Sequence, residues 1–378
     1  MNEIPATMRQ LRSLVTAEGE LRLSVPSVDT PQPGPREVLV RVEAAPVNPS
    51  DLGLLLAMAD VSAAVAGGSE DEPTVTAPIA EPVMRSLAAR VGEPMTVGNE
   101  GAGVVVAAGE SPEATALLGQ TVGFLGGATY GEYCLASPRM CLPLPAGADP
   151  VDGASSFVNP LTALGMVETM RREGHTGLAH TAAASNLGQM LNRICLADGV
   201  PLVNIVRRPD QVALLREHGA AFVCDSSEPT FEADLVAAMR DTGATLAFDA
   251  VGGGRLAGQL LNAMEAAIVP PDASYNRYGS DVHKQVYVYG ALDPRPIELR
   301  RRFGFAWGVA GWLLTPFLAR TSAEDLARLR QRVADELTTT FASHYTDQIS
   351  LRQALDVETL QRYSRQATGE KFLLRPRY

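Results

Sequence analysis

The chain has 378 residues, 46% of them hydrophobic and 20% charged, so it is long enough for two globular domains with a core each. A formal net charge of -11 argues against nucleic acid or an anionic membrane surface as the main partner. The first residues, MNEIPATMRQLRSLV, lack the charged and apolar regions of a secretory signal. We therefore expect a cytoplasmic protein whose four cysteines are reduced.

The first 150 residues carry strand patterns without alternating helices. Residues 37–42, EVLVRV, alternate apolar and polar side chains, and the segments 97–109 and 120–137 add short strands broken by glycine. Residues 58–95 are rich in alanine, glycine, glutamate and proline, with a helical pattern near their end, and we interpret them as a mobile insertion. These sequence patterns predict a mostly antiparallel β domain over residues 1–150.

From residue 151 onward, strand and helix patterns alternate. PLVNIV, AFVCDSS, ATLAFDA and KQVYVYGAL have strand character and are separated by helical stretches such as RPDQVALLREHG. Strands that alternate with helices of this length predict a doubly wound parallel sheet, here over residues 151–320. We expect residues 321–378, which end in a short strand pattern, to return to the first domain.

An uncharged apolar stretch covers residues 303–319, FGFAWGVAGWLLTPFLA. It contains three glycines and a proline, follows a basic triplet at 300–302 and falls short of the roughly 20 apolar residues that a membrane span needs. We expect a helix that packs at a subunit interface or over a substrate pocket.

The segment TAAASNLG, residues 181–188, lies where an apolar strand pattern turns into a helix pattern. Small residues there allow close approach of a pyrophosphate to the amino end of the helix, so Ala184, Ser185, Asn186, Leu187 and Gly188 are candidate phosphate-binding residues. The alternative is a tight turn that binds nothing.

Arg207 and Arg208 follow the next strand pattern, where an acidic residue would select NAD. Arginines at this point can pair with the 2′-phosphate of NADP, which predicts NADPH as the cofactor, although a solvated loop with two charges would look the same. Val251-Gly252 and Tyr289-Gly290 follow two further strands, and the carboxyl ends of parallel strands are where ligands bind. The five histidines and four cysteines show no zinc-ligand spacing, so no metal site is predicted.

In chain order, VNPSDL, VGNEGAGVVVAAG, YGEYCLA, VNPLTA, HTAAASNLGQ, VRRPDQVALLREHGAA, FDAVGGG and GEKFLLRP resemble the medium-chain dehydrogenase/reductase superfamily. Within it, the chain resembles the zinc-free quinone oxidoreductase branch, with some similarity to medium-chain 2-enoyl thioester reductases. The resemblance implies an α/β fold with a mostly-β GroES-like catalytic domain, a Rossmann domain that binds NADPH, and a homodimer formed through the Rossmann sheet edges.

The resemblance also implies site residues. Asn48 and Asp51 would line the nicotinamide end of the cofactor, and Thr162 would approach it; the alternative for Asn48 and Asp51 is a turn or helix cap after Pro49. Zinc-dependent relatives have a cysteine near residues 48–51 and a histidine at the position of Asn99, and neither is present here.

The function that follows is hydride transfer from NADPH to a small-molecule acceptor, a quinone or similar conjugated carbonyl, without zinc. One alternative is an enoyl reductase of activated alkenes or enoyl thioesters. Thioester reductases carry a tyrosine proton donor near the amino terminus, whereas the first tyrosine here is Tyr130. Tyr130, the candidate catalytic tyrosine, or Tyr133 could substitute if it faced the cleft; the alternative is a packed strand. Another alternative is a sensor or interaction protein that binds NADPH without turnover.

Overall fold

The structure is a computed structural model, and it describes residues 3–269, 272 and 274–378. The chain divides into two compact units, the first made of Met1–Val158 with Arg330–Tyr378 and the second of Asn159–Leu329. The predicted division points, after residues 150 and 320, lie slightly earlier in the chain.

Most strands in the part of the chain that the structure describes have three to six residues, and β5 and β9 have nine. They are β1 (Thr7–Arg9), β2 (Arg12–Val15), β3 (Glu20–Ser24), β4 (Ser27–Asp29), β5 (Val38–Pro46), β6 (Val65–Gly68), β7 (Pro73–Pro78), β8 (Met95–Thr96), β9 (Glu100–Ala108), β10 (Thr121–Leu125), β11 (Tyr133–Ala136), β12 (Cys141–Pro143), β13 (Leu178–His180), β14 (Leu202–Val206), β15 (Phe222–Asp225), β16 (Leu246–Asp249), β17 (Lys284–Val288), β18 (Trp307–Gly311), β19 (Asp347–Ile349) and β20 (Phe372–Leu374).

The α-helices of the described residues lie mostly in the second unit. They are α1 (Pro49–Leu56), α2 (Glu81–Ser86), α3 (Pro112–Thr115), α4 (Pro150–Gly153), α5 (Val158–Arg172), α6 (Asn186–Asp198), α7 (Pro209–Glu217), α8 (Phe231–Thr242), α9 (Leu256–Ile268), α10 (Leu314–Ala319), α11 (Ala323–Asp335) and α12 (Val357–Ser364).

The first unit is built around the long strand β5, whose apolar residues are almost all buried. One sheet has the strand order β12-β10-β9-β5-β20-β19, and β11 also pairs with β5. The carboxyl-terminal strand β20 is antiparallel to β5, with Leu374 opposite Ala45. A second sheet has the order β6-β7-β3-β2-β8, and the apolar faces of the strands share one core.

Residues 58–95, which the sequence predicts to be a mobile insertion, contain regular secondary structure. They contain β6 and β7, which pair with each other, and β7 pairs with β3 over the register Glu20 to Ser24. Val75 and Ala77 are buried in β7, whereas β6 is exposed along its whole length. Strand β7 of this segment is therefore part of the core of the first unit.

The second unit is a six-stranded, wholly parallel sheet with the order β15-β14-β13-β16-β17-β18. The chain runs outward from β13 to β15 and returns on the other side of β13 with β16. This reversal creates a switch point between β13 and β16, where the connections at the carboxyl ends of the strands leave in opposite directions. Helices α8 and α9 pack against one face of the sheet through Leu235, Met239, Leu260 and Met264.

The apolar segment 303–319 is not a single helix, so that prediction was wrong. It forms the edge strand β18 and, after Trp312 and Leu313, the short helix α10. Three glycines, Gly304, Gly308 and Gly311, in the first half of this segment disfavour a continuous helix, and the apolar side chains suit a sheet packed on its faces. Among the described helices, none is both long and apolar enough to cross a membrane.

Candidate functional site

Asn48 and Asp51 lie together at the start of α1 in the first unit. Pro49 occupies the first position of the helix, where its missing N–H costs nothing. The Asp51 carboxylate accepts hydrogen bonds from the Asn48 backbone N–H at 2.9 Å and from the Asn99 backbone N–H at 2.8 Å. Burial raises the pKa of Asp51 to about 7, so this carboxyl group exchanges its proton near neutral pH.

Glu100 joins this cluster, although the sequence analysis assigned it no role. It is buried at the start of β9, and its carboxylate accepts from Asn48 Nδ2 at 2.7 Å and from the backbone N–H groups of Phe157 (3.0 Å) and Val158 (2.7 Å). Burial raises its pKa, against the effect of these hydrogen bonds. Glu100 therefore connects the start of α1 to the start of α5.

Tyr130, the candidate catalytic tyrosine, is fully buried beside Asp51. Its hydroxyl donates to the Pro46 carbonyl oxygen at 2.9 Å, and burial raises its pKa well above the ordinary value. Asn48, Asp51 and Tyr130 are thus brought together, with the tyrosine proton held by a backbone carbonyl.

Lys371 is a second residue that the sequence analysis missed. Its ammonium group donates to Ser155 Oγ at 2.7 Å, and the Tyr345 hydroxyl donates to the same oxygen at 2.9 Å. Burial lowers the pKa of Lys371 to about 8, while the nearby Glu100 carboxylate favours the charged form. The buried cluster of the first unit therefore holds a cation as well as two carboxyl groups.

In the second unit, the segment between β13 and α6 forms the predicted tight turn. Ser185 caps α6, its Oγ accepting from the Gly188 N–H at 3.2 Å, and Asn186 and Leu187 form the first turn of the helix. A Cβ at Gly188 would lie 2.2 Å from the Ala183 carbonyl oxygen, so this position accepts only glycine. Ala184 is buried beneath the turn.

Arg207 and Arg208 follow β14 directly and are both exposed. Arg208 Nε lies 3.2 Å from Asp210 Oδ1 at the start of α7. Strand β14 is the parallel neighbour of β13. Both arginines therefore lie at the carboxyl-terminal edge of the sheet, the same edge as the turn before α6.

Val251, Gly252, Tyr289 and Gly290 also gather at this edge. The Asp249 carboxylate, at the end of β16, accepts from the backbone N–H groups of Val251 at 2.9 Å and Gly252 at 3.2 Å, and a Cβ at Gly252 would lie 2.2 Å from the Gly290 carbonyl oxygen. The connections after β16 and β17 are therefore in close backbone contact.

Three buried polar residues that the sequence analysis did not select hold this edge together. Thr181 Oγ1 donates to Asp249 Oδ1 at 2.8 Å, which ties β13 to β16. His180 Nε2 lies 2.7 Å from the Tyr289 hydroxyl, and burial lowers the pKa of His180 to about 3, so the imidazole is neutral. Thr162, the remaining candidate, is buried on α5.

Comparisons with known proteins agree with this architecture. Residues 34–146 match the model of the alcohol dehydrogenase GroES-like domain. A provisionally named NADPH:quinone reductase from Mesorhizobium loti is 25% identical, with a TM-score of 0.74 over 99% of this chain and 100% of that one. The chain therefore contains a GroES-like domain and shares the fold of that structure. The predicted fold class, a GroES-like domain with a Rossmann-type parallel sheet, is confirmed.

Two further structures share this fold at lower identity. A mycobacterial protein solved in complex with NADPH is 18% identical, with a TM-score of 0.67 over 98% of this chain and 100% of that one. The CurK enoyl reductase is 14% identical, with a TM-score of 0.69 over 97% of this chain and 99% of that one. No curated protein matches the sequence. Among the described residues, no group of three or more His, Cys, Asp or Glu side chains is placed to hold a metal ion.

Proposed function

We propose that the protein is an NADPH-dependent oxidoreductase that transfers hydride to a quinone or a similar conjugated carbonyl. The observation that carries the proposal is the turn before α6, where Gly188 allows close backbone approach, together with Arg207 and Arg208 after the neighbouring strand. Such a turn accommodates a pyrophosphate, and arginines at this distance along the fold pair with a 2′-phosphate. The Mesorhizobium loti relative carries NADPH:quinone reductase in its name.

The residues of this chain would bind and orient the cofactor. Ala184, Ser185, Asn186, Leu187 and Gly188 hold the pyrophosphate, while Val251-Gly252 and Tyr289-Gly290 border the same sheet edge. When bound, NADPH would supply the hydride, and the family resemblance makes Asn48 and Asp51 of the first unit the candidates for its nicotinamide end. Solvent or a polar side chain supplies the proton, and Tyr130 stays a candidate for that step.

The proposal does not include zinc. At the position where zinc-dependent relatives carry a histidine, the Asn99 side-chain amide donates to Ser50 Oγ at 3.4 Å, and Asp51, near the position of their cysteine, accepts from two backbone N–H groups. Amide side chains are also poor zinc ligands beside cysteine and histidine. Activity that survives exhaustive dialysis against a chelator would agree with this view, and activity restored only by zinc would contradict it.

An acceptor panel tests the reaction itself. With NADPH in excess, we expect benzoquinone or naphthoquinone derivatives to be reduced faster than simple enones. Faster turnover of enones would favour the enoyl reductase alternative, and tight NADPH binding without any turnover would favour a sensor. The cytoplasmic location expected from the sequence belongs to the same proposal.

We also propose a homodimer formed through β18. This strand ends the sheet order, so one of its edges has no partner strand within the described chain, and Leu313 beside it is 65% exposed. An unpaired apolar edge favours addition of a second strand. Sedimentation velocity should give twice the chain mass of 40.1 kDa, and Leu313→Glu should shift the protein toward the monomer.

A further inference from the structure

A cavity of about 900 Å³ lies in the second unit, and no residue of the proposed cofactor site lines it. Its walls come from α8, α9, residues 274–280 before β17 and residues 301–305 before β18. The volume falls within the usual range for small-molecule sites. The cavity is therefore large enough for a ligand other than the cofactor.

Three arginines, Arg277, Arg301 and Arg302, line this cavity. Within the described residues, none of them forms a side-chain hydrogen bond or a salt bridge. The guanidinium of Arg277 lies 4.7 Å from the centre of the Tyr278 ring, and that of Arg301 lies 5.3 Å from the centre of the Phe305 ring. The hydrogen-bond donors of all three side chains thus stay available to a ligand.

The acidic residues of the cavity wall do not neutralise these arginines. The Glu265 carboxylate is already bound by the fully buried Lys284 ammonium at 2.6 Å and by the Ser280 hydroxyl and N–H at 2.6 and 2.7 Å. Glu232 accepts from Gln259 Nε2 at 3.2 Å and is the remaining acidic residue of the wall. A net positive wall thus stands in a chain whose formal charge is -11.

Like charges around one cavity repel each other, and an anion between them removes that repulsion. Guanidinium groups bind phosphate and carboxylate groups through paired hydrogen bonds. Phe305 is 62% exposed beside the cavity and offers apolar surface next to these donors. The wall therefore combines guanidinium donors for an anionic group with the apolar surface of Phe305 for an attached planar group.

We propose that this cavity is a second ligand site, which binds an organic anion through Arg277, Arg301 and Arg302. The phosphate or carboxylate group of the ligand pairs with the guanidinium groups, and its planar apolar part contacts Phe305. The site is separate from the cofactor turn, so it does not depend on the proposed oxidoreductase activity.

Isothermal titration calorimetry with phenyl phosphate, inorganic phosphate and phenol tests the proposal on the full chain. Phenyl phosphate should bind saturably and more tightly than inorganic phosphate, phenol should give no saturable signal, and the affinity for phenyl phosphate should fall as salt is raised. If neither phosphate compound binds, or if phenol binds as tightly as phenyl phosphate, the proposal is wrong.

Charge-neutralising variants locate the site. Arg301→Gln and Arg302→Gln should each weaken phenyl phosphate binding by roughly three- to tenfold, the loss of one screened charge-assisted contact. Arg365→Gln removes the same charge from an exposed position in the other unit and should change nothing. Unchanged affinity in the first two variants would place the ligand elsewhere, for example at the turn before α6, and would overturn the assignment.

Because Arg301 and Arg302 are exposed, their variants should keep the wild-type melting temperature and NADPH affinity. Loss of NADPH binding in parallel with phenyl phosphate binding would show that the two ligands share one site and would contradict the proposal. If NADPH does not bind the wild type, the proposed oxidoreductase activity is contradicted, but the phenyl phosphate affinities of the variants still test the second site.

Discussion

Replacing Glu100 tests whether the buried cluster of the first unit is held by hydrogen-bond geometry. Glu100→Ala leaves three buried donors without an acceptor, the Asn48 side-chain amide and the backbone N–H groups of Phe157 and Val158. Each unsatisfied buried donor costs about 1–3 kcal/mol, so the variant should lose at least about 3 kcal/mol of unfolding free energy. For a unit of roughly 200 residues, this loss corresponds to a melting temperature lower by roughly 6–12 °C.

Glu100→Gln is the matched variant. Its amide oxygen can accept from Phe157 and Val158, and rotation of the Asn48 amide by 180° would present an oxygen to the new NH₂ group. All three contacts are then replaced, so we expect a loss under about 1 kcal/mol. The removed charge also no longer has to be buried, and burial is the main influence on the pKa of Glu100.

The assay is thermal unfolding of both variants, followed by circular dichroism. The order of melting temperatures should be wild type, then Glu100→Gln close below it, then Glu100→Ala far below. If Glu100→Gln is as unstable as Glu100→Ala, the reasoning is refuted, since the negative charge near Lys371 would then matter more than the number of acceptors.

Three further predictions concern single buried groups. Burial raises the pKa of Asp51 to about 7, so the wild-type free energy of unfolding should fall by up to about 4 kcal/mol as pH rises from about 4 to about 7. In denaturation experiments over the same pH range, the free energy of unfolding of Asp51→Asn should not show this decrease. Gly188→Ala, whose new Cβ meets a backbone oxygen at 2.2 Å, should lower both the melting temperature and the NADPH affinity; unchanged values would contradict the tight turn. Tyr289→Phe removes the hydrogen-bond partner of buried His180 and should cost about 1–3 kcal/mol in urea denaturation, whereas Tyr287→Phe, two residues earlier on β17, loses only an exposed contact and should cost less.

The two-part architecture could be predicted because each part has its own periodicity. Alternating residues in β5 predict a strand with one buried face, and the repeated strand and helix patterns after residue 151 predict a parallel sheet. The order of family motifs then specified the fold class, which the comparisons confirm.

The secondary structure of two segments could not be predicted from the sequence, for physical reasons. Residues 58–95 are rich in glycine and acidic residues, which favour turns, yet β7 adds to a sheet because Val75 and Ala77 are buried against neighbouring strands. Residues 303–319 are uncharged and almost all apolar, so they show no hydrophobic periodicity that would separate a helix from a strand. Within this segment, β18 forms a strand because it pairs with β17.

The sequence predicts the positions of those candidate residues that depend on backbone geometry alone. The ends of parallel strands meet at one sheet edge, so Gly188, Gly252 and Gly290 could be placed there from the strand pattern. The buried partners Glu100 and Lys371 could not, because their hydrogen bonds join residues that are far apart in the sequence.

Fluorescence titration with NADPH and NADH tests the central claim, that this chain binds NADPH at the turn before α6 and the arginines after β14. The wild type should bind NADPH more tightly than NADH. Arg207→Ala/Arg208→Ala should weaken NADPH binding by at least about tenfold, the loss of a charge-assisted contact to phosphate, and leave NADH binding nearly unchanged. Equal affinities for the two cofactors in the wild type, or equal losses in the variant, would contradict the account.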